Sequence, residues 1–289
     1  METTVVLLVL AGAALHPLRD LLLKGIANAG SGYFSVMSIW MAIAIAEIVV
    51  SGLDVTSAFD VWHLILFSAG GLTTYYIGIL TAMRTGDFSV YYPIIRSAPV
   101  FMVVAGWLVL GETYSAVVLA GVALVTLGAW LLQYTPGADF LHSPKTLAVS
   151  LLAMAGMGTQ SLADAEVMQV LQVPVLLFWG FLFALMVLAV FLLLRRPAEQ
   201  PWSDALIGGW RENPWRILTA GITGYLSYYL ILIAYQQGGA AVPVNSLRQI
   251  SIPLSVILGG LVLRELNMGS RFAWSLLLAA GIIIIIIAK

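Results

Sequence analysis

Of the 289 residues, 61% are hydrophobic and only 9% charged, and the mean hydropathy is +1.00. Soluble chains carry roughly 45–50% apolar and about 25% charged residues, so a water-soluble globular fold is excluded and lipid must be the solvent. The net charge of −1 offers nucleic acid no basic surface, and the absence of cysteine removes disulfides, thiolate metal sites and cysteine nucleophiles.

A hydrocarbon core of about 30 Å calls for about 20 apolar residues per helix. The first such run covers residues 4–24. Its opening, Met1-Glu2-Thr3-Thr4, lacks the basic start of a signal peptide, so Val5–Leu15 reads as part of a retained first helix. Further runs follow at 33–51, 61–83, 88–110 and 114–133, and these five make a first unit, residues 1–135. After a short linker (136–145), the second unit (146–289) repeats the pattern at 146–167, 173–194, 216–237, 242–263 and 270–288. The runs are continuous and too long for barrel strands. The expected fold is therefore an all-α polytopic membrane protein of ten transmembrane helices. The polar stretch 195–216 sets Trp202, Trp210 and Trp215 among Arg195, Arg196, Arg211 and Arg216, the pattern of a segment lying on the membrane surface.

The two units repeat each other. A shift of 153 carries Gly71, Thr74, Tyr75 and Tyr76 onto Gly224, Ser227, Tyr228 and Tyr229. It also carries Gly86 onto Gly239, Glu112 onto Glu265 and Gly128 onto Gly281, while Arg96 meets Arg248 at 152. Helices 1 and 6 align at 144, pairing His16 with Gln160 and Asp20 with Asp164. Equivalent points lie five spans apart, and an odd number reverses direction, so the expected architecture is two inverted five-helix repeats. Inverted repeats are a common frame for secondary transporters that alternate access around a midplane site.

Arg96 and Arg248 fall several residues inside their spans, roughly 10–13 Å deep at 1.5 Å per residue. An ionised side chain at that depth faces a cavity or a partner, and arginine cannot escape by losing its proton. One reading makes the two guanidinium groups a pseudo-symmetric pair that binds a carboxylate or phosphate; the other pairs them internally with Asp20 or Asp164. Pro93 and Pro99 flank Arg96, and Pro243 and Pro253 flank Arg248, which favours local opening of both helices. Tyr92 shares a helix face with Arg96, and Asn245 with Arg248. With Tyr76, Tyr229, His16 and Gln160 they make the candidate substrate-binding set. Asp164 and Asp20 are the candidate coupling or ion-pair carboxylates, and Glu112 and Glu265 are expected to sit in the first turns of helices 5 and 10, complementing their dipoles.

The run Pro93-Ile94-Ile95-Arg96-Ser97-Ala98-Pro99, followed by Gly111-Glu112, resembles the hallmark of EamA-type members of the drug/metabolite transporter superfamily. It recurs as Arg248-Gln249-Ile250-Ser251-Ile252-Pro253 leading to Arg264-Glu265, where arginine replaces the family's glycine. The resemblance covers nearly the whole chain. It implies ten helices, a central cavity lined by helices 1, 3, 4, 6, 8 and 9, and transport of small metabolites across a bacterial plasma membrane. Family members place both termini in the cytoplasm. Here Arg19, Lys24, Arg84, Lys145, Arg195, Arg196, Arg211, Arg216, Arg264 and Arg271 fall on one side and only Lys289 on the other, which places both termini outside.

The expected function is secondary transport of small anionic or zwitterionic solutes, such as amino acids or organic acids, with protons as a candidate coupling ion and the bilayer as the other partner. Export of cationic, aromatic compounds and translocation of a lipid or its headgroup are the alternatives. Catalysis has no support, since HExxH and GxSxG are absent and His16, His63 and His142 are scattered. No nucleotide-binding segment, cofactor or metal site is expected.

Overall fold

The structure is a computed structural model describing residues 1–23, 26–84, 88–134, 142–255 and 268–288. Among these residues all regular structure is helical, and eight helical segments are long and apolar enough to cross a membrane. Helix α1 is Thr3–Leu23 and α2 is Ala29–Ser51. A 3-10 segment, Val55–Val61, leads into α3, Trp62–Arg84. The next span is α4, Phe88–Ile95, then α5, Ala98–Ala105, ending in a wide π turn at Gly106–Leu110. Helix α6 is Ala116–Gln133, α7 Pro144–Val167 and α8 Val173–Arg195. A short helix α9, Trp202–Glu212, precedes α10, Pro214–Gln236, then α11, Ala241–Arg248, and α12, Met268–Ile287. The ninth expected span continues past α11 as a helical stretch at 251–255 and then leaves the described residues, as does Glu265.

Local sequence explains where these helices stop. Asn28 caps α2 by accepting the Ser31 N–H, and Gly52 closes it in the left-handed region at φ 62°. The fourth span breaks at Arg96 and Ser97, where Pro93 and Pro99 remove backbone donors. The carbonyl freed at Pro93 accepts the Ser97 hydroxyl at 2.9 Å, and the Trp130 indole N–H donates to that hydroxyl at 2.6 Å. Helix α11 stops in the same way, at Gln249 and Ile250, immediately after Arg248. Both intramembrane arginines thus sit where a helix opens, as their flanking prolines lead one to expect.

Glu112 departs from expectation. It lies just past Gly111, which ends the π turn at φ 67°, and accepts the Tyr114 hydroxyl. Helix α6 has no acidic residue in its first turn and is capped by Ser115, whose side chain accepts the Val118 N–H. The π turn lengthens the fourth span, so the carboxylate stops short of the helix it was expected to open.

Within the membrane the helices pair by close backbone approach, since lipid gives apolar side chains no reason to prefer each other. Helix α1 runs along α10, α3 along α7 and α6 along α12, while α2 packs on α8. At the α3–α7 contact a Cβ added to Gly71 would lie 2.5 Å from the Gly156 carbonyl, and one added to Gly156 would lie 2.7 Å from that of Gly71. The α1–α10 contact has the same character, Gly12 facing the Ser227 carbonyl. The segment expected to lie on the membrane contains α9, with Trp202 and Trp210 exposed on it and Trp215 exposed just beyond. Gly209 of α9 seats on α2, its N–H donating to Ser31 Oγ at 2.9 Å.

Gly71→Ala is expected to force α3 and α7 apart at a cost of about 1–3 kcal/mol. Gly70→Ala, whose added carbon meets nothing within 4 Å, serves as control. Thermal unfolding in detergent should show a lower Tm for the first and an unchanged one for the second.

Candidate functional site

Halfway along the bundle, α1, α2, α3, α7, α10 and α11 enclose a cavity of about 30 Å³. Its polar wall is made by His16, Arg19, Tyr75, Tyr76, Gln160, Ser227, Tyr228 and Arg248, with Trp40, Leu72 and Met157 completing it. That volume accommodates a water molecule. Two larger cavities lie towards opposite ends. One, of about 210 Å³, lies where α1 ends and α2 begins and is lined by Asp20, Tyr33 and Met83 among others. The other, of about 230 Å³, lies where α10 passes into α11 and is lined by Glu112, Glu166, Gln169 and the Gly238–Ala241 turn.

Helix α1 supplies an arginine that the charge count treats as a surface residue. Arg19 is buried, 6% exposed. Its Nη2 and Nε donate to Asp20 Oδ1 at 2.7 and 3.0 Å, and Nη2 lies 3.3 Å from His16 Nε2. Arginine has no acceptor, so Nε2 accepts and the imidazole carries its proton on Nδ1. The spacing of His16, Arg19 and Asp20 places all three on one helical face. Asp20 remains partly open to the 210 Å³ cavity, its side chain 36% exposed.

Asp164, which the sequence comparison of helices 1 and 6 pairs with Asp20, is treated differently. It is 1% exposed and has no ion pair among the described residues. Instead Ser68 Oγ donates to Oδ1 and the Tyr228 hydroxyl donates to Oδ2, each at 2.5 Å. Gln160 Nε2 in turn donates to the Tyr228 oxygen at 2.7 Å. Neither aspartate pairs with Arg96 or Arg248, so the internal ion pairs weighed from sequence do not form.

The two arginines that the sequence comparison pairs take different positions. Arg248 lines the cavity, half-buried, and forms no hydrogen bond or ion pair among the described residues. Arg96 lies outside that wall: Nη2 donates to Ser251 Oγ at 2.9 Å, while its backbone carbonyl accepts Gln249 Nε2 at 2.9 Å. It cross-braces the two broken helices. Its Nε is buried without a partner.

Of the other candidates, His16, Gln160 and Tyr76 line the cavity. Tyr92 does not, nor does Asn245, which is buried and donates to Ser161 Oγ at 2.9 Å. Tyr229 faces away and packs on Tyr225, ring centres 5.7 Å apart. Its neighbour Tyr228 takes the cavity position, and Tyr75 joins Tyr76 there, the two rings 5.2 Å apart. Trp40 reaches the wall while its indole N–H donates to the Gly221 carbonyl at 2.7 Å; Trp179 instead anchors the Val55 carbonyl at 2.9 Å.

No family model and no curated protein matches the chain. A solved structure described only as "Crystal structure of protein" superposes over 98% of this chain and 96% of its own, with a TM-score of 0.78 and 15% identity. At that identity the likeness shows the fold alone.

Removing the carboxylate of Asp20 leaves a buried guanidinium without its counter-charge. Asp20→Asn is expected to lower the Tm by several degrees, whereas Asp204→Asn, which breaks the exposed pair with Arg211, is worth about 0–1 kcal/mol. Parallel thermal melts of the two variants check the contrast.

Proposed function

We propose that the chain is a secondary transporter of small anionic or zwitterionic solutes, amino acid-like or organic acids, working by alternating access. We further propose that it is of the EamA type within the drug/metabolite transporter superfamily, with ten spans in two inverted five-helix halves. The observation that carries the reading is Arg248: a guanidinium midway along an apolar bundle, at the wall of a small cavity and without a hydrogen-bond or ion-pair partner among the described residues. A permanent cation in that setting is costly until an anion reaches it. Amide and hydroxyl groups of Gln160, Tyr75, Tyr76 and Tyr228 surround it, able to orient a polar solute.

The helix pairing supports the repeat. Exchanging the halves sends α1 to α7, α3 to α10, α2 to α8 and α6 to α12. The α1–α10 contact then becomes the α7–α3 contact, and the α2–α8 and α6–α12 contacts map onto themselves. Two half-units packed this way can trade conformations, opening first one end cavity and then the other to the middle. A cavity of about 30 Å³ is smaller than any metabolite, so a solute enters only as the walls part. The sequence holds no phosphate-binding loop to use a nucleotide, which leaves solute or ion gradients as the driving force.

The test is a thermal-shift screen of purified protein against carboxylates, amino acids, organic cations and lipid headgroups. A ligand that binds only the folded state raises the Tm with its occupancy. Anionic or zwitterionic compounds are expected to stabilise wild type and Arg96→Gln, and to lose their effect on Arg248→Gln. Stabilisation by cations alone, undiminished in Arg248→Gln, overturns the assignment.

Orientation follows from the remaining surface charge. Even with Arg19 removed as a buried residue, Arg84, Lys145, Arg195, Arg196 and Arg211 lie exposed at the helix ends and the connection expected at one face. With that face in the cytoplasm, a C-terminal reporter active only outside the cytoplasm should be active. A fusion active only inside reverses the assignment.

A further inference from the structure

We propose that Asp164 is a proton-binding site tied to the solute site, taking up one proton when an anion occupies the cavity at Arg248, so that anion and proton travel together. The proposal rests on the solute reading above and adds its coupling ion and sign.

The geometry links the two sites through one side chain. Tyr228 lines the cavity with Arg248, yet its hydroxyl hydrogen is committed to Asp164 Oδ2 at 2.5 Å. Gln160, also in the wall, donates to the same hydroxyl at 2.7 Å. Asp164 itself lies behind this pair, its other oxygen held by Ser68 from α3. A carboxylate beyond the cavity wall therefore shares its donors with whatever the cavity holds.

The charges around it decide the direction. From α11, Arg248 is the cation whose field reaches Asp164; Asn245, on the same helix, is turned to Ser161. From α10 come only the phenols of Tyr228 and Tyr235. From α1, His16 lies against Arg19 and Asp20, and the charge of Arg19 is engaged by Asp20. Arg96, between α4 and α5, is held by Ser251. Helix α8 has no charged residue before Arg195. An arriving anion cancels the field of Arg248, the cation that acts on Asp164 and that has no partner among the described residues. It also competes for the Tyr228 and Gln160 donors. Both effects disfavour the ionised carboxylate in a medium of low dielectric. The proton comes from water and returns to it on release, and no other bond is made or broken.

Asp20 shows why its repeat partner does not do the same. With Arg19 bonded to it twice, its charge is balanced inside its own helix. Asp164 has hydroxyls where Asp20 has a guanidinium.

Titration calorimetry with succinate and L-glutamate, repeated in buffers of different ionisation enthalpy, counts the protons. Wild type is expected to take up about one proton per anion bound, and its affinity to tighten about tenfold for each pH unit of acidification across the coupled range. Asp164→Asn is expected to bind with an affinity that no longer depends on pH and with no proton uptake. Anion binding without proton uptake in wild type, or uptake that persists in Asp164→Asn, overturns the proposal and leaves the solute reading standing. If neither anion binds at any pH, both fall. A second readout does not need the Asp164 variant to fold. The infrared difference spectrum of wild type with and without isotopically labelled succinate should gain the C=O stretch of a protonated carboxyl, shifted by heavy water and by Tyr228→Phe. Its absence also overturns the proposal.

Discussion

A polar group in hydrocarbon finds its partner inside the protein or goes without one, because lipid offers neither donor nor acceptor. That constraint organises this bundle more than the apolar contacts do, since leucine gains as much from lipid as from another helix. Glycine at the α3–α7 and α1–α10 contacts lets backbones approach closely enough for polar side chains to cross between helices. Ser227 Oγ, for example, donates to the Gly12 carbonyl at 2.7 Å. Where prolines open the fourth span, Ser97 and Trp130 satisfy what is freed, and Arg96 ties that opening to the one beyond Arg248.

The positions of the helices are legible in the sequence because bilayer thickness imposes a run length that composition alone reveals. The breaks at Arg96 and after Arg248 are legible too, because proline acts on its own backbone and needs no tertiary information. Glu112 is misplaced because a π turn shifts the end of a helix by residues that no hydropathy pattern marks. Arg19 is misread for a related reason: five residues from the end of an apolar run, it looks like a snorkelling surface charge. Only the i, i+3 and i, i+1 placement of His16 and Asp20 around it signals a buried cluster. The tyrosine pairs show the same limit. Tyr75-Tyr76 and Tyr228-Tyr229 are equivalent in the repeat, yet rotation about the helix axis decides which ring meets the cavity, and in α10 it is Tyr228 alone.

The departures from symmetry bear most directly on function. A repeat related by inversion gives two backbone halves of similar energy, which suits a device that exchanges their conformations. If the chemistry were symmetric as well, both exchanges would treat solute and proton alike. Here the second half carries Gln160 where the first carries His16, and Ala163 where the first carries Arg19. The first half therefore balances its carboxylate internally and the second does not. Arg248 and Arg96 divide in the same sense, the first at the cavity wall without a partner among the described residues and the second fixed as a brace. The unbalanced carboxylate and the uncommitted guanidinium thus both lie in the second part of the sequence, on α7 and α11, the guanidinium at the cavity wall and the carboxylate behind Tyr228 and Gln160. An anion is the one kind of occupant that satisfies the guanidinium, and in doing so it deprives the carboxylate of its nearest positive field. On the proposed reading, the near-symmetry lets the bundle move between states of similar energy, and the asymmetry makes solute charge and carboxylate charge depend on each other.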